Sequence, residues 1–315
     1  NGLFTLQTQI YAGSQWGDVR PFALSRNEPP YLDPGLPPQL NGQDSEAYVD
    51  GTLEVIRYSG LLDPDESEII DISPRGRGLN SLGQNDGTGH GSFPNPTTGL
   101  PYEAQLVKKA DYGRVIAEYW ADGPNSETPP GHWNTLANEV SDHPALVKKF
   151  RGEGAEMGRL EWDVKLYFAL NAALHDAAVA AWDCKSHYDY VRPISSIRNL
   201  SGLGLLPEIP GLVEKITEAS SAPGQRHAGL VASGAEIGDT AIYAWGGEPS
   251  DPRNEFTGNR WILGVDWLPY QRATFVTPAF AGYVSGHSTF SRAAAEVLAH
   301  FTGDPYFPGG MGGRL

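Results

Sequence analysis

Two short stretches of this sequence hold residue types that do chemistry in combination. "DCKSHYDYVRP", residues 183 to 193, sets Lys185 and Arg192 seven positions apart, and "FAGYVSGHSTF", residues 280 to 290, puts Ser285, Gly286 and His287 in a row. A planar guanidinium fork and an ammonium point charge together suit an anion with several oxygens. A Ser-Gly-His turn opening a helix adds backbone N–H groups, a hydroxyl and a titratable imidazole, and its glycine lets the backbone approach a ligand closely. Each stretch also has a plainer reading: a basic helix end that complements its macrodipole, and an N-cap followed by an ordinary helix. The chemical reading gains weight because both stretches need the same partner, a tetrahedral oxyanion.

Positioning these groups falls to the helices around them. "RLEWDVKLYFALNAALHDAAVAAWDCK", residues 159 to 185, is apolar on most faces and free of Gly and Pro, which predicts a buried central helix. If it continued, Arg192 would lie about 20° from Lys185 around the axis and two turns on. Pro193 instead argues for a break at or before Arg192, because the residue before proline avoids the helical region. Either arrangement lets the two cations converge. Apolar spacing predicts one helix within 41–62 and others over 103–123, 131–141, 209–219, 225–246 and 286–302. No alternating strand pair stands out. The expected fold is therefore all-α, a helical bundle over 101–315 preceded by a loop-rich N-terminal wrap over 1–100.

Bulk properties narrow the function. A net charge of −15 argues against nucleic-acid backbone binding, so any anion site must be a local cationic pocket in an acidic body. The single cysteine, Cys184, excludes an internal disulfide framework and a cysteine-based zinc cluster. No apolar run is long enough to span a membrane, and the opening residues lack signal-peptide regions. A mature secreted or periplasmic protein fits these features, and a cytoplasmic one is the alternative.

At this point the sequence resembles the vanadium-dependent haloperoxidases and the type 2 phosphatidic-acid-phosphatase-like acid phosphatases, most closely the bacterial haloperoxidase-like branch. Their first motif, a lysine, six residues and Arg-Pro, is matched by Lys185, Arg192 and Pro193. Their second, Pro-Ser-Gly-His, reads Val284-Ser285-Gly286-His287 here. Stretches at 16–24, 116–134, 177–198 and 280–298 look like signatures of that branch, in the same order. The resemblance implies the helical-bundle fold and a vanadate or phosphate cofactor or ligand held by Lys185, Arg192, Ser285 and Gly286. It implies His287 as the acid/base histidine and Phe280 as a candidate for the halide pocket. Val284 in place of proline touches the rigidity of the turn and not the ligands.

A third family motif, Ser-Arg, five residues and His, would supply another arginine and the histidine bound to vanadium or attacking phosphorus. Here Ser291-Arg292 imitates its start, but Leu298 stands where the histidine should be, and His300 lies too close to the second motif. No direct metal ligand is therefore identified. Three explanations compete: a chain whose C-terminal third-motif segment lies in a second polypeptide or was removed, residues missing from the sequence, or a non-catalytic oxyanion binder. The expected function is halide oxidation by hydrogen peroxide to hypohalous acid. The alternative is hydrolysis of phosphate monoesters through a phosphohistidine. Partners would be peroxide, halide and a small organic substrate or phosphate ester.

Other candidates read more plainly. His175 and Asp176 suit a satisfied core histidine better than a metal site, and His132 and Trp133 suit either an entrance or packing at a helix start. His187 and Asp189 either orient the two cations or face solvent. "NDGTGH" and "DPDESE" lack EF-hand spacing and read as solvated loops.

Overall fold

A computed structural model describes residues 11–25, 30–65, 68–77, 94, 98–119, 127–272 and 277–308. The glycine-rich stretch from residue 78 to 93, "NDGTGH" within it, and the last seven residues lie outside them.

The longest element is the expected central helix, α5, Arg159–Tyr188. Before it come α1 (Ser45–Gly60), β1 (Ile69–Asp71), α2 (Pro74–Arg77), β2 (Leu106–Lys108), α3 (Lys109–Tyr119) and α4 (Pro129–Asp142). After it come α6 (Pro193–Gly202), β3 (Val213–Lys215), α7 (Glu218–Ser221), α8 (Ala228–Ala232), β4 (Thr240–Trp245), β5 (Asn259–Leu263) and α9 (Gly286–Thr302). The architecture is mostly helical, as composition and periodicity require. Among the described residues no helix is long and apolar enough to cross a membrane.

One core joins α4, α5 and α9. Trp162, Leu166, Leu170, Leu174, Ala177 and Ala181 recur at spacings of three and four on α5, and Phe290, Ala294, Leu298 and Phe301 do so on α9. Each set makes one stripe, and the two stripes bury each other. Alanines at 177, 181 and 294 let the axes close, while the Trp162 and Phe301 rings meet edge-on at 4.9 Å. The expected buried central helix is buried on one stripe only in its first half, where Leu160, Val164 and Phe168 are 78%, 62% and 67% exposed.

A second core departs from the sequence reading. β3, β4 and β5 form an antiparallel meander, with Ile242 opposite both Val213 and Ile262. Tyr48, Leu53 and Ile56 of α1 and Ile197 and Leu200 of α6 pack with it. The helix expected over 225–246 is therefore only α8 followed by β4. Gly234 (φ 104°) and Gly238 (φ 98°) turn the chain between them, in backbone conformations that favour glycine. β4, "TAIYAW", is buried at every residue but Tyr243, so it shows a continuous apolar run and no alternation. The helix expected over 209–219 gives way to a tight turn at Gly211 (φ 80°), β3 and the four-residue α7. The start of the helix expected over 103–123 is β2, which pairs with β1 before α3 begins.

The N-terminal wrap is tied to α5 by two carboxylates one heptad apart. Asp176, 6% exposed, accepts backbone N–H bonds from Phe22 (2.7 Å), Ala23 (2.8 Å) and Leu24 (3.2 Å). Asp183, 8% exposed, accepts from the Tyr31 N–H at 2.8 Å. Burial alone would push the Asp176 carboxyl up, but the N–H groups of Ala23 and Phe22, with His175 and Leu24, outweigh it and hold the group below its ordinary value. His175 is therefore no core histidine: it is a partly exposed neighbour, 3.3 Å from Asp176 and packed edge-on against Phe22.

Asp176→Ala should lower the unfolding free energy by about 2 kcal/mol at pH 7, since it removes a buried carboxylate that accepts three part-buried N–H bonds. A carboxylate depressed in the folded state contributes fully above its unfolded pKa and loses that contribution as pH falls through the folded one. Urea unfolding should therefore show the gap between wild type and variant narrowing from pH 7 towards pH 3. A gap that stays constant would mean that the charge on Asp176 is not what holds the wrap.

Candidate functional site

α5 delivers Lys185 from its last buried turn and then stops. Asp189 takes a left-handed conformation (φ 42°, ψ 45°), tolerable for aspartate, and its N–H closes the helix on the Lys185 carbonyl at 3.0 Å. Arg192 follows as the N-cap of α6, with Pro193 in its first position. The break that proline demanded is real, and it turns the chain so that Arg192 projects beside Lys185 instead of two turns further along one axis. On the other side Ser285 caps α9, its Oγ accepting the Ser288 N–H at 3.2 Å, and Gly286 and His287 form the first turn.

The segment between, residues 280–284, is stitched to the first. Lys185 Nζ donates to the carbonyls of Ala281 (2.8 Å) and Gly282 (3.4 Å). Arg192 donates from Nε to Phe280 (2.8 Å) and from Nη2 to Ala281 (3.5 Å), and the Gly282 N–H donates to the Tyr190 carbonyl at 2.9 Å. A Cβ on Gly282 would stand 2.6 Å from the Val191 carbonyl oxygen, so only glycine lets the two segments run this close. The Tyr283–Val284 peptide is cis.

The electrostatics are unusual. Lys185 is 2% exposed, yet among the described residues neither it nor Arg192 has a carboxylate partner. Carbonyl oxygens and ring faces stand in: Lys185 Nζ lies 5.7 Å from the Trp182 ring centroid and 5.4 Å from that of Phe280, and Arg192 Cζ lies 4.8 Å from Phe280. These contacts stabilise the charges without neutralising them. Burial, with Arg192 close by, pulls the Lys185 ammonium down to about 8, and burial lowers Arg192 as well. Lysine has three donors and arginine five, so both retain N–H capacity beyond the carbonyl bonds.

Lys185, Arg192, Ser285, Gly286, His287 and Phe280 all line one cleft of about 680 Å³. The Phe280 ring lies against both cations. The residue that sequence reasoning missed is Trp182. Its ring packs against Trp16 (4.8 Å) and Phe280 (5.1 Å), and its Nε1 donates to the Ala12 carbonyl at 2.7 Å. A Cβ on Gly286 would meet its edge at 3.1 Å, so the start of α9 is pressed against it. The available signal was its position one turn before Lys185, on the same helical face.

Other candidates fall elsewhere. Arg292 and His300 sit on the outer side of α9, both beside Glu296 (3.1 and 3.8 Å), and the His300 side chain is 72% exposed. Ser291 accepts from Trp133 Nε1 at 3.1 Å, and His132 is buried in the first turn of α4 near Glu127, so both aromatic side chains serve packing. His187 and Asp189 are exposed; Asp189 acts through its backbone, and His187 rests edge-on against Tyr188 at 4.7 Å. Burial raises the Cys184 thiol to about 11, which removes it as a nucleophile. Among the described residues no group of three or more His, Cys, Asp or Glu could hold a metal ion.

The geometry thus defines a helical domain with a cation-floored cleft between the end of α5 and the start of α9. Residues 165–312 match the family model described as the VCPO second helical-bundle domain, which supports a vanadium-haloperoxidase-like family. The match begins inside α5, runs past α9 and includes every cleft residue expected from the sequence. It leaves out the stretches at 16–24 and 116–134. No curated protein and no solved structure matches the chain.

The lowered Lys185 has a two-sided consequence. Between about 8 and 10.5 the unfolded chain keeps a proton that the folded one has lost, so the stability of the empty protein rises with pH across that window. An oxyanion that holds the ammonium charged in the folded chain would cancel that rise. Molybdate affinity should fall about tenfold between pH 7 and 9.5, with a flatter profile in Lys185→Met. Equal slopes in the two proteins would remove Lys185 from the site.

Proposed function

We propose that this chain is the oxyanion-binding part of a vanadate-dependent haloperoxidase, which oxidises halide with hydrogen peroxide to hypohalous acid. One observation carries the reading: a buried lysine and a half-buried arginine share a cleft with the N-terminus of α9 and, among the described residues, have no carboxylate to neutralise them. Such a pair is costly to bury empty and suits an anion with several oxygens. The family match over the same residues supports it, and the motif order favours the bacterial haloperoxidase-like branch.

The residues present fit an oxyanion. Lys185 and Arg192 would hold its oxygens, and Ser285 and the Gly286 N–H would add hydrogen bonds at the positive end of α9. When bound, vanadate supplies the Lewis acidity that makes peroxide able to oxidise a halide. His287, in the first turn of α9 and lining the cleft, would take or give a proton at an oxygen facing the cleft. Phe280 and Trp182 keep water from the underside of the cations, so each contact to them acts in a medium of low dielectric. A nitrogen ligand corresponding to the third motif is absent from the described cleft residues, so the proposal includes a further segment or second polypeptide that brings it.

Phosphate-ester hydrolysis, the activity of the related acid phosphatases, is the second reading. The observation favouring it is the size of the cleft, which exceeds the needs of an inorganic ion.

Calorimetric titration with orthovanadate should give one-to-one binding at micromolar concentration, lost in Arg192→Ala. Bromide oxidation should then rise with added vanadate and disappear in Lys185→Ala. Turnover of a chromogenic phosphate ester, inhibited by vanadate and without bromide oxidation, would favour the second reading. Absence of any oxyanion binding would sink both.

A further inference from the structure

The cations account for only a small part of the cleft lining. The cleft's volume of about 680 Å³ falls in the range of roughly 300–1,000 Å³ that organic ligands occupy, and much of the rest of its lining is apolar. Pro129 and Pro130 come from the start of α4, Ile194 from the first turn of α6, and Trp267, Pro269 and Tyr270 from the segment after β5. No acidic residue is among the described residues lining the cleft.

This wall is held in place before any ligand arrives. The Trp267 side chain is 2% exposed, and its carbonyl accepts from Arg198 Nε at 2.9 Å. The Tyr270 hydroxyl donates to Glu118 Oε1 at 2.6 Å, and its ring packs edge-on against Trp245 at 5.0 Å. With the hydroxyl engaged there, Tyr270 offers the cleft its ring. The prolines fix their own backbone angles. A preformed apolar surface beside uncompensated positive charge is complementary to a molecule with an oxyanion at one end and a flat apolar group at the other.

We propose that the Ile194–Trp267–Tyr270 wall is a binding subsite for an aromatic or similarly flat apolar group lying next to the oxyanion, so that the cleft selects aryl-bearing oxyanions over inorganic ones. The inference rests on the oxyanion reading of Lys185 and Arg192. It adds which organic chemistry the other half of the site accepts.

The test compares inorganic phosphate, methylphosphonate and phenylphosphonate by calorimetry on the full chain. Phenylphosphonate should bind about tenfold more tightly than methylphosphonate, as expected for burying much of one ring. That ratio should fall towards one in Tyr270→Ala and in Ile194→Ala, and persist in Tyr270→Phe, which keeps the ring. The Ile194 variant gives the reading if Tyr270→Ala does not fold. A ratio near one in the wild type, or an undiminished ratio in both alanine variants, overturns the subsite while leaving the oxyanion seat intact. Failure of all three anions to bind overturns the oxyanion reading itself, and the subsite with it.

Discussion

The charges of a buried lysine and a half-buried arginine lie side by side, held by carbonyl oxygens instead of carboxylates, and the rest of this structure serves that constraint. An ion pair would have been the simpler way to bury Lys185 or Arg192, but it would have used up the charge. Bonds to the carbonyls of residues 280–282 do not. They fix both head groups, leave donors over, and align the 280–284 segment so that α9 starts where its first turn faces the cations. Phe280 contributes through both backbone and ring. A substitution there would disturb hydrogen-bond geometry and cation–π contact together, which makes it a poor probe of halide binding on its own.

The cost of this arrangement is spread over distant parts of the chain. Trp182 must be rigid to support the floor, and it is gripped on the far side by Trp16 and the Ala12 carbonyl. That end of the wrap is itself anchored by Asp176 and Asp183. A Cβ on Gly17 would stand 2.2 Å from Asp183 Oδ1, which leaves room for nothing larger than glycine. The wrap therefore works as part of the site's support, although Trp16 is its contribution to the cleft lining.

How far the sequence could be read depended on where each signal lay. Helix α5 was legible because thirty residues pass without glycine or proline, and the break before α6 because Pro193 forbids continuation. Residue type offers Ser285 or Ser288 as the cap of α9, and the structure uses Ser285. The meander was not legible: β4 is buried on both faces, and periodicity cannot separate a fully buried strand from a piece of buried helix. The clamps made by Asp176 and Asp183 were equally hidden, since their partners are backbone N–H groups, which carry no residue-type signal. For the cleft, spacing and chemistry identified the polar residues, whereas Trp182 read simply as one more apolar position on a core helix.

The depth of the cations also sets how a ligand finds them. Lys185 is almost wholly enclosed, while the body around it carries a net charge of −15. On the proposed reading, an approaching anion would meet the field of the acidic body before that of the enclosed cations. Dissolved salt weakens the long-range part and leaves the enclosed part nearly untouched. On that reading, capture would be a process that moderate ionic strength accelerates, the reverse of the usual behaviour of an anion and a cationic site.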